Sequence, residues 1–351
     1  MSDAPRTLSL CLLPGDGIGP EVLGAATSVL AALPAHLGIT IATHEAPAGH
    51  GTWVETGEAL PHASVDAARA ADAVLVGAMD VAQLPSGVRQ PLRTLRRELG
   101  VSVSLRASRS LPGVPCLHDD VDVMVVREVT EGLFGGVEHT AGADAACSVR
   151  VITRGASHRA AELAFAAAAR RRGRVTAVHK VGALPTGDGL WLEAVGEVAA
   201  RHPEVEYETR NVDACAMELV QHPADFDVVL CPNAFGDVLS DVAAGLVGGL
   251  GLAASACVGP DGAYFEPVHG TAPDIAGRGV ANPLAAIRSA SLLLRHVGET
   301  AAADIVEAAV LDLLAEGAPL TPDLGGTAST DEVTAAIRDR VAAATPGVTV
   351  G

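Results

Sequence analysis

Two aspartates stand four residues apart in NAFGDVLSD, and a helix would set the carboxylates of Asp237 and Asp241 on one face. Side by side they repel unless a cation lies between them. A hard divalent ion such as Mg²⁺ is commonly held by one or two carboxylates together with substrate oxygens. A solvated helix face is the plain alternative, but the uncharged run 242–259 just downstream turns this helix inward. The complementary charges are arginines. RQPLRTLRREL puts Arg93 and Arg96 three apart, as helical neighbours, with Arg97 beside them, and Arg106 and Arg127 sit at the ends of two strand-like runs. Exposed arginines on an amphipathic helix are the ordinary explanation, and it suffices for Arg97; clustered forks would instead suit a di- or tricarboxylate. Lys180 closes RVTAVHK. A strand-end lysine is usually solvated, but beside a divalent cation and arginines its ammonium form is disfavoured, which suits a general base.

These groups need elements to hold them. TLSLCLLPG, DAVLVGAM, DVMVVREV, RVTAVHKVG and FDVVLCPN read as buried strands, and residues 21–33, 158–172 and 191–202 have helical length and periodicity. The alternation predicts an α/β protein with parallel strands. Three more helices are expected after Pro283, the last opened by Ser329-Thr330-Asp331. In LLPGDGIGPEV, Gly15, Gly17 and Gly19 follow a strand and Pro20 opens a helix. A G-x-G-x-x-G fingerprint would need glycine where Pro20 stands, so the loop by itself reads as a tight strand-to-helix turn.

The chain has 351 residues, 49% hydrophobic, enough for about two domains. With 42 acidic against 24 basic residues its formal net charge is −18, which speaks against nucleic acid and anionic membranes as partners. Six scattered cysteines form no C-x-x-C pair, so neither a zinc site nor a disulfide framework is expected, and a reducing cytoplasm fits. The apolar run near the N-terminus is too short for a signal peptide. The run 242–259 meets the nominal length of a membrane span, but its five glycines suit a buried helix followed by a turn and strand.

LLPGDGIGPEV resembles the opening of the isocitrate, 3-isopropylmalate and homoisocitrate dehydrogenases, the β-decarboxylating dehydrogenase family. The resemblance continues in family order through the arginine helix, VVREVTEGLFGG, VHK, NVDACAMELV, NAFGDVLSDVAAGLVGGLGL, FEPVHGTAPDIAGRGVANP and TPDLGG. It implies an α/β, two-domain isopropylmalate/isocitrate dehydrogenase-like fold that is not a conventional Rossmann fold. One domain would join 1–101 with 248–351, and 102–247 would form the other and the dimer contact. It also implies Mg²⁺ or Mn²⁺ on Asp237 and Asp241, with Asp213 supplied by the partner subunit of a homodimer with shared active sites. Arg96, Arg106 and Arg127 would bind a small anionic hydroxy acid, and Lys180, assisted by Asp213, would act as base. The Gly- and Pro-rich stretch at 265–283 would be the adenosine loop, with His269 near the adenine, Gly270, Thr271, Ala272 and Pro273 around the nucleotide, and Asn282 beyond. NADP-dependent relatives carry Lys and Tyr where this chain has Asp274 and Ile275. A carboxylate accepts from ribose hydroxyls and repels a 2′-phosphate, so NAD is expected.

The chain also departs from the family pattern. Phe134 stands where the family has a proton-donating tyrosine, Lys180-Val181-Gly182 replaces K-A-N, and VSLRA replaces A-N-V-R-P around Arg106. Arg93, three before Arg96, resembles homoisocitrate dehydrogenase rather than the 3-isopropylmalate enzymes. The expected activity is therefore NAD- and metal-dependent oxidative decarboxylation of a 3-substituted malate with an anionic distal group, a carboxylate or phosphonate, in a specialised pathway. The alternative within the class is 3-isopropylmalate dehydrogenase of leucine synthesis. The alternative from another class is a degenerate, non-catalytic paralogue that binds ligand or regulates another subunit.

Overall fold

The computed structural model describes residues 6–345. Its strands are β1 (Arg6–Leu13), β2 (Ile39–Glu45), β3 (Ala73–Val76), β4 (Val103–Arg109), β5 (Asp122–Glu128), β6 (Glu138–Thr140), β7 (Ala146–Ser148), β8 (Arg174–His179), β9 (Glu206–Asn211), β10 (Val228–Cys231), β11 (Ala254–Val258) and β12 (Ala263–Pro267). The helices are α1 (Gly19–Leu30), α2 (His50–Thr56), α3 (His62–Ala70), α4 (Pro91–Glu98), α5 (Arg154–Ala168), α6 (Pro185–Ala199), α7 (Val212–Gln221), α8 (Asn233–Leu246), α9 (Leu284–His296), α10 (Thr300–Glu316) and α11 (Thr330–Ala342). One 10-stranded sheet runs β2-β1-β3-β12-β11-β4-β5-β10-β8-β9, an order unlike the Rossmann arrangement.

The expectation of parallel strands holds on both flanks and fails in the middle. β12 with β11, β11 with β4, and β4 with β5 pair antiparallel. The first of these reversals has a local cause: β11 and β12 are joined by a short turn closed by the Gly259 N–H donating to Gly262 O at 3.0 Å, and a short turn can only return the chain antiparallel. The uncharged run 242–259 is the end of α8, a single 3₁₀ turn at Leu250–Leu252 and β11, the helix–turn–strand reading. Among the described residues no helix is long and apolar enough to cross a membrane.

Helices pack on both faces of this sheet. Leu8, Leu10 and Leu12 of β1 join α1, α9, α10 and α11 in the largest core cluster. α11 begins with a full capping box, Ser329 accepting from Glu332 N while the Glu332 carboxylate accepts from Ser329 N. The Ala-rich α5 makes a second core, its Ala160, Ala161, Ala164 and Ala168 buried beside Phe165 and against Trp191 of α6. Arg171, just past α5, is committed too: it binds Asp227 and Asp122 at 2.8 Å each.

The glycine loop has a packing reason. A Cβ on Gly17, whose φ is +59°, would lie 2.1 Å from Thr271 O, and one on Gly15 would lie 2.1 Å from Ala78 O. The Ile18 N–H donates to Thr271 O at 2.9 Å. This turn therefore seats the 265–283 stretch. Between the glycines, the Asp16 carboxylate accepts from the N–H groups of His50, Gly51 and Asp80, each at 2.8 Å, and so ties the start of α2 to the loop after β3.

Candidate active site

A cleft of about 420 Å³ is lined by Arg93, Arg96, Arg106, Arg127, Asp237 and His269, with Phe134 also on its wall. Arg106 stands in the middle of β4 and not at a strand end as the sequence suggested, because the strand extends to Arg109. Its Nη1 donates to Ser240 Oγ at 2.8 Å and lies 3.3 Å from Asp237 and 3.6 Å from Asp241. Arg127, next to the end of β5, pairs with Asp237 and donates from Nε and Nη2 to Asn233 Oδ1 at 3.0 and 2.8 Å. Burial, and then the positive charge of Arg106, pulls its pKa down to about 10 despite Asp237. Its guanidinium also lies 5.8 Å from the centre of the Phe134 ring, a cation–π contact.

Arg96 leaves α4 toward β12, where its Nε donates to the Tyr264 hydroxyl at 2.8 Å and Nη2 approaches Glu266 at 3.9 Å. Burial opposes its charge, but Tyr264, Cys257 and Glu266 outweigh that and raise its pKa. Arg93 has no carboxylate within ion-pair distance among the described residues; its one side-chain partner is Gln90, at 3.5 Å. It lies against Gly136, where a Cβ would stand 1.8 Å from Nη1. Glycine at 136 thus makes the room that admits Arg93 to the cleft.

Asp237 and Asp241 do share a face of α8, as their spacing predicted, with side chains 40% and 53% exposed. Burial first, and then repulsion from Asp237, raises the Asp241 pKa although Arg106 opposes it. Such a pair gains from a hard cation, and its all-oxygen donors fit Mg²⁺ or Mn²⁺. Among the described residues no three His, Cys, Asp or Glu side chains of one chain converge on a metal position.

Lys180 and Asp213 form a separate cluster. Lys180 follows β8, its N–H donates to Asp188 Oδ2 at 2.5 Å, and its Nζ lies 2.6 Å from Asp213 Oδ1. The Lys180 hydrogen bond holds the Asp213 carboxyl below the ordinary carboxylate range. Neither residue lines the arginine cleft of its own chain, so the lysine is not beside these arginines within one chain. Sequence position alone could not reveal this, because β8 and α7 stand on the far flank of the sheet from β12.

The expected nucleotide loop begins in regular structure, since Phe265, Glu266 and Pro267 belong to β12; the rest is irregular. His269 and Gly270 line the cleft. Burial lowers the His269 pKa, and its Nε2 is buried without a hydrogen-bond partner, an orphaned polar atom that suits a nucleobase edge. Ala272 has a φ of +38°, a turn within Gly270–Pro273. The Asp274 side chain is exposed, whereas Ile275 packs against the largest core cluster. Asn282 is committed locally: it donates to Asp323 at 2.9 Å and accepts from Leu284 N at 3.0 Å, fixing the start of α9.

Several supporting residues escaped sequence reading. Tyr264 and Glu266 orient Arg96, and their alternation on β12 was the available signal. Asn233 aims Arg127 and is itself fixed by donating to Glu131 O at 2.8 Å. Gly236 lets α8 press on Arg127, since a Cβ there would stand 2.8 Å from Arg127 Cβ and Cγ.

An α/β scaffold here gathers arginines, Asp237 and a half-buried imidazole over one cleft, an arrangement that suits a small anionic ligand. The family model "Isocitrate/isopropylmalate dehydrogenase" matches residues 9–337, and the chain belongs to that family. It is 43% identical to a 3-isopropylmalate dehydrogenase of Methanothermobacter thermautotrophicus over 91% of this chain and 94% of the relative. It is 45% identical to an isocitrate/homoisocitrate dehydrogenase of Thermus thermophilus, over 90% and 93% respectively. A crystal structure of isocitrate dehydrogenase from Methylococcus capsulatus superposes with a TM-score of 0.90 at 41% identity, covering 95% of this chain and 99% of that one. Enzymes of this family decarboxylate a hydroxy acid oxidatively with NAD(P) and a divalent metal ion.

Proposed function

We propose that the substrate is a 3-substituted malate with an anionic distal group, homoisocitrate- or isocitrate-like, a phosphonate analogue included, and that the oxidant is NAD. The observation that carries this reading is Arg93, a guanidinium on the cleft wall with no carboxylate within ion-pair distance among the described residues. Leaving such a charge beside Arg96, Arg106 and Arg127 is costly unless the ligand supplies the balancing one. The exposed carboxylate of Asp274, which repels a 2′-phosphate, supports NAD over NADP. A second reading, 3-isopropylmalate, is favoured by Val81, Leu92, Val129 and Leu133, apolar side chains lining the same cleft.

In this reading Arg96, Arg106 and Arg127 clamp the malate carboxylates, and Asp237 and Asp241 of one chain with Asp213 of the other hold the metal. When bound, NAD would supply the hydride acceptor and the divalent cation would supply the electron sink for the loss of carbon dioxide. Lys180, paired with Asp213, takes the hydroxyl proton. Phe134 shields Arg127 and has no proton to give, so the final proton comes from water or Lys180. We place the domain division at 1–101 plus 248–351 against 102–247. Its support is that five strands of the sheet come from each part, with the cleft where they meet.

NADH absorbance with Mg²⁺ across homoisocitrate, isocitrate and 3-isopropylmalate tests this function. We expect preference for the anionic substituents, and Arg93→Leu to move the ratio of kcat/KM toward 3-isopropylmalate by about tenfold or more. An unchanged ratio would refute the role of Arg93.

A further inference from the structure

A second cavity, of about 640 Å³, adjoins the cleft and shares Gln90, Arg93, Arg96 and Val129 with it. Its remaining wall brings Arg89 and Arg97 from around α4 to face Arg159 of α5, with Ser102 and Thr130 between them. Arg97 is taken by Glu98 at 2.7 Å. Arg89, Arg93 and Arg159 have no carboxylate within ion-pair distance among the described residues, although the chain carries 42 acidic side chains against 24 basic ones. Asp261 is the single carboxylate in the lining, which therefore keeps a net positive charge.

We propose that this cavity is an anion-binding site distinct from the substrate cleft, built for a small organic or inorganic polyanion. Arg89 and Arg159 would each present a fork to a carboxylate or phosphate, while Arg93 on the shared wall serves the substrate cleft. The two wall positions outside the substrate cleft, Arg89 and Arg159, give the site an identity of its own.

Titration calorimetry of the full chain, with tricarballylate and separately with inorganic pyrophosphate, tests it. Arg89→Ala/Arg159→Ala is expected to weaken one binding event per chain by about tenfold or more. Both side chains are exposed, so the double variant keeps its fold, and Arg89→Lys/Arg159→Lys is expected to restore much of the binding. The probe that binds more tightly identifies a carboxylate or a phosphate as the natural group. Isotherms for both probes that are unchanged in the double alanine variant, or no binding of either probe to the unaltered chain, overturn the proposal.

Discussion

At the scale of single residues, the substitution of phenylalanine for a hydroxyl donor is the change with the clearest chemical consequence. Phe134 lies 5.8 Å from the Arg127 guanidinium and gives the cleft an apolar wall, and in the proposed mechanism protonation of the enol after decarboxylation must then draw on water or Lys180. Phe134→Tyr is expected to accelerate that step while leaving hydride transfer nearly as it was. Stopped-flow NADH formation compared with solvent deuterium incorporation separates the two steps; equal effects on both would count against the argument. His269 supplies a pH prediction. Burial holds its folded pKa below the ordinary 6.5, so as pH falls through that value the unfolded chain takes up a proton that the folded chain resists. Stability is therefore lost on the acid side of 6.5. His269→Gln should flatten the thermal midpoint between neutral and mildly acid pH, and an unchanged slope would deny that the imidazole is held neutral. Residue types and spacing made Asp237, Asp241 and Arg96 legible in advance. Asn233, Tyr264 and Glu266 were not, because an uncharged amide or a strand carboxylate announces its partner only once two strands and a helix have been brought together.

At the scale of elements, α8 carries most of the burden, offering Asn233, Asp237, Ser240 and Asp241 to β4 and β5. It can do so because Gly236 leaves nothing between its backbone and Arg127, with Cys231 on the other side, where a Cβ would come within 3.0 Å. Gly236→Ala should push the helix outward, at a cost of about 1–3 kcal/mol in stability, and displace Asp237 from both arginines. We expect KM for substrate and for Mg²⁺ to rise more than kcat falls, measured beside a thermal melt; unaltered KM values would show that α8 does not set this geometry. Hydrophobic periodicity found the long helices and the fully buried strands, and the Ser329 cap found α11. It missed β9, whose side chains are half-buried or exposed, and the antiparallel centre of the sheet. Strand direction there depends on which strands become neighbours, and β11 pairs with β4 although about 150 residues separate them, which no local pattern announces.

At the scale of the whole molecule, the two clusters of charge make sense only together. The cleft of one chain holds the arginines and Asp237, while Lys180 and Asp213 stand elsewhere, and α7, which carries Asp213, also exposes Met217 and Val220. The pair β6–β7 stands apart from the main sheet with every residue exposed, and a lone two-stranded hairpin is marginal in water unless something covers it. We propose a two-fold dimer in which each chain would lend its lysine and third carboxylate to the other's cleft. The family likeness implied only that Asp213 crosses between subunits; that Lys180 goes with it follows from its 2.6 Å contact with Asp213, and neither could be read from spacing, since sequence separation carries no information about which copy a side chain serves. It predicts complementation. Lys180→Met and Asp237→Asn homodimers should each be nearly inactive, because every site lacks one group. In a purified heterodimer of the two, the cleft with intact Asp237 receives Lys180 from its partner, and the other cleft lacks both. One complete site per dimer should restore roughly half of the unaltered enzyme's turnover by this symmetry argument. A heterodimer as inactive as its parents would place Lys180 and Asp237 in the same chain's site and dismantle the shared-site reading.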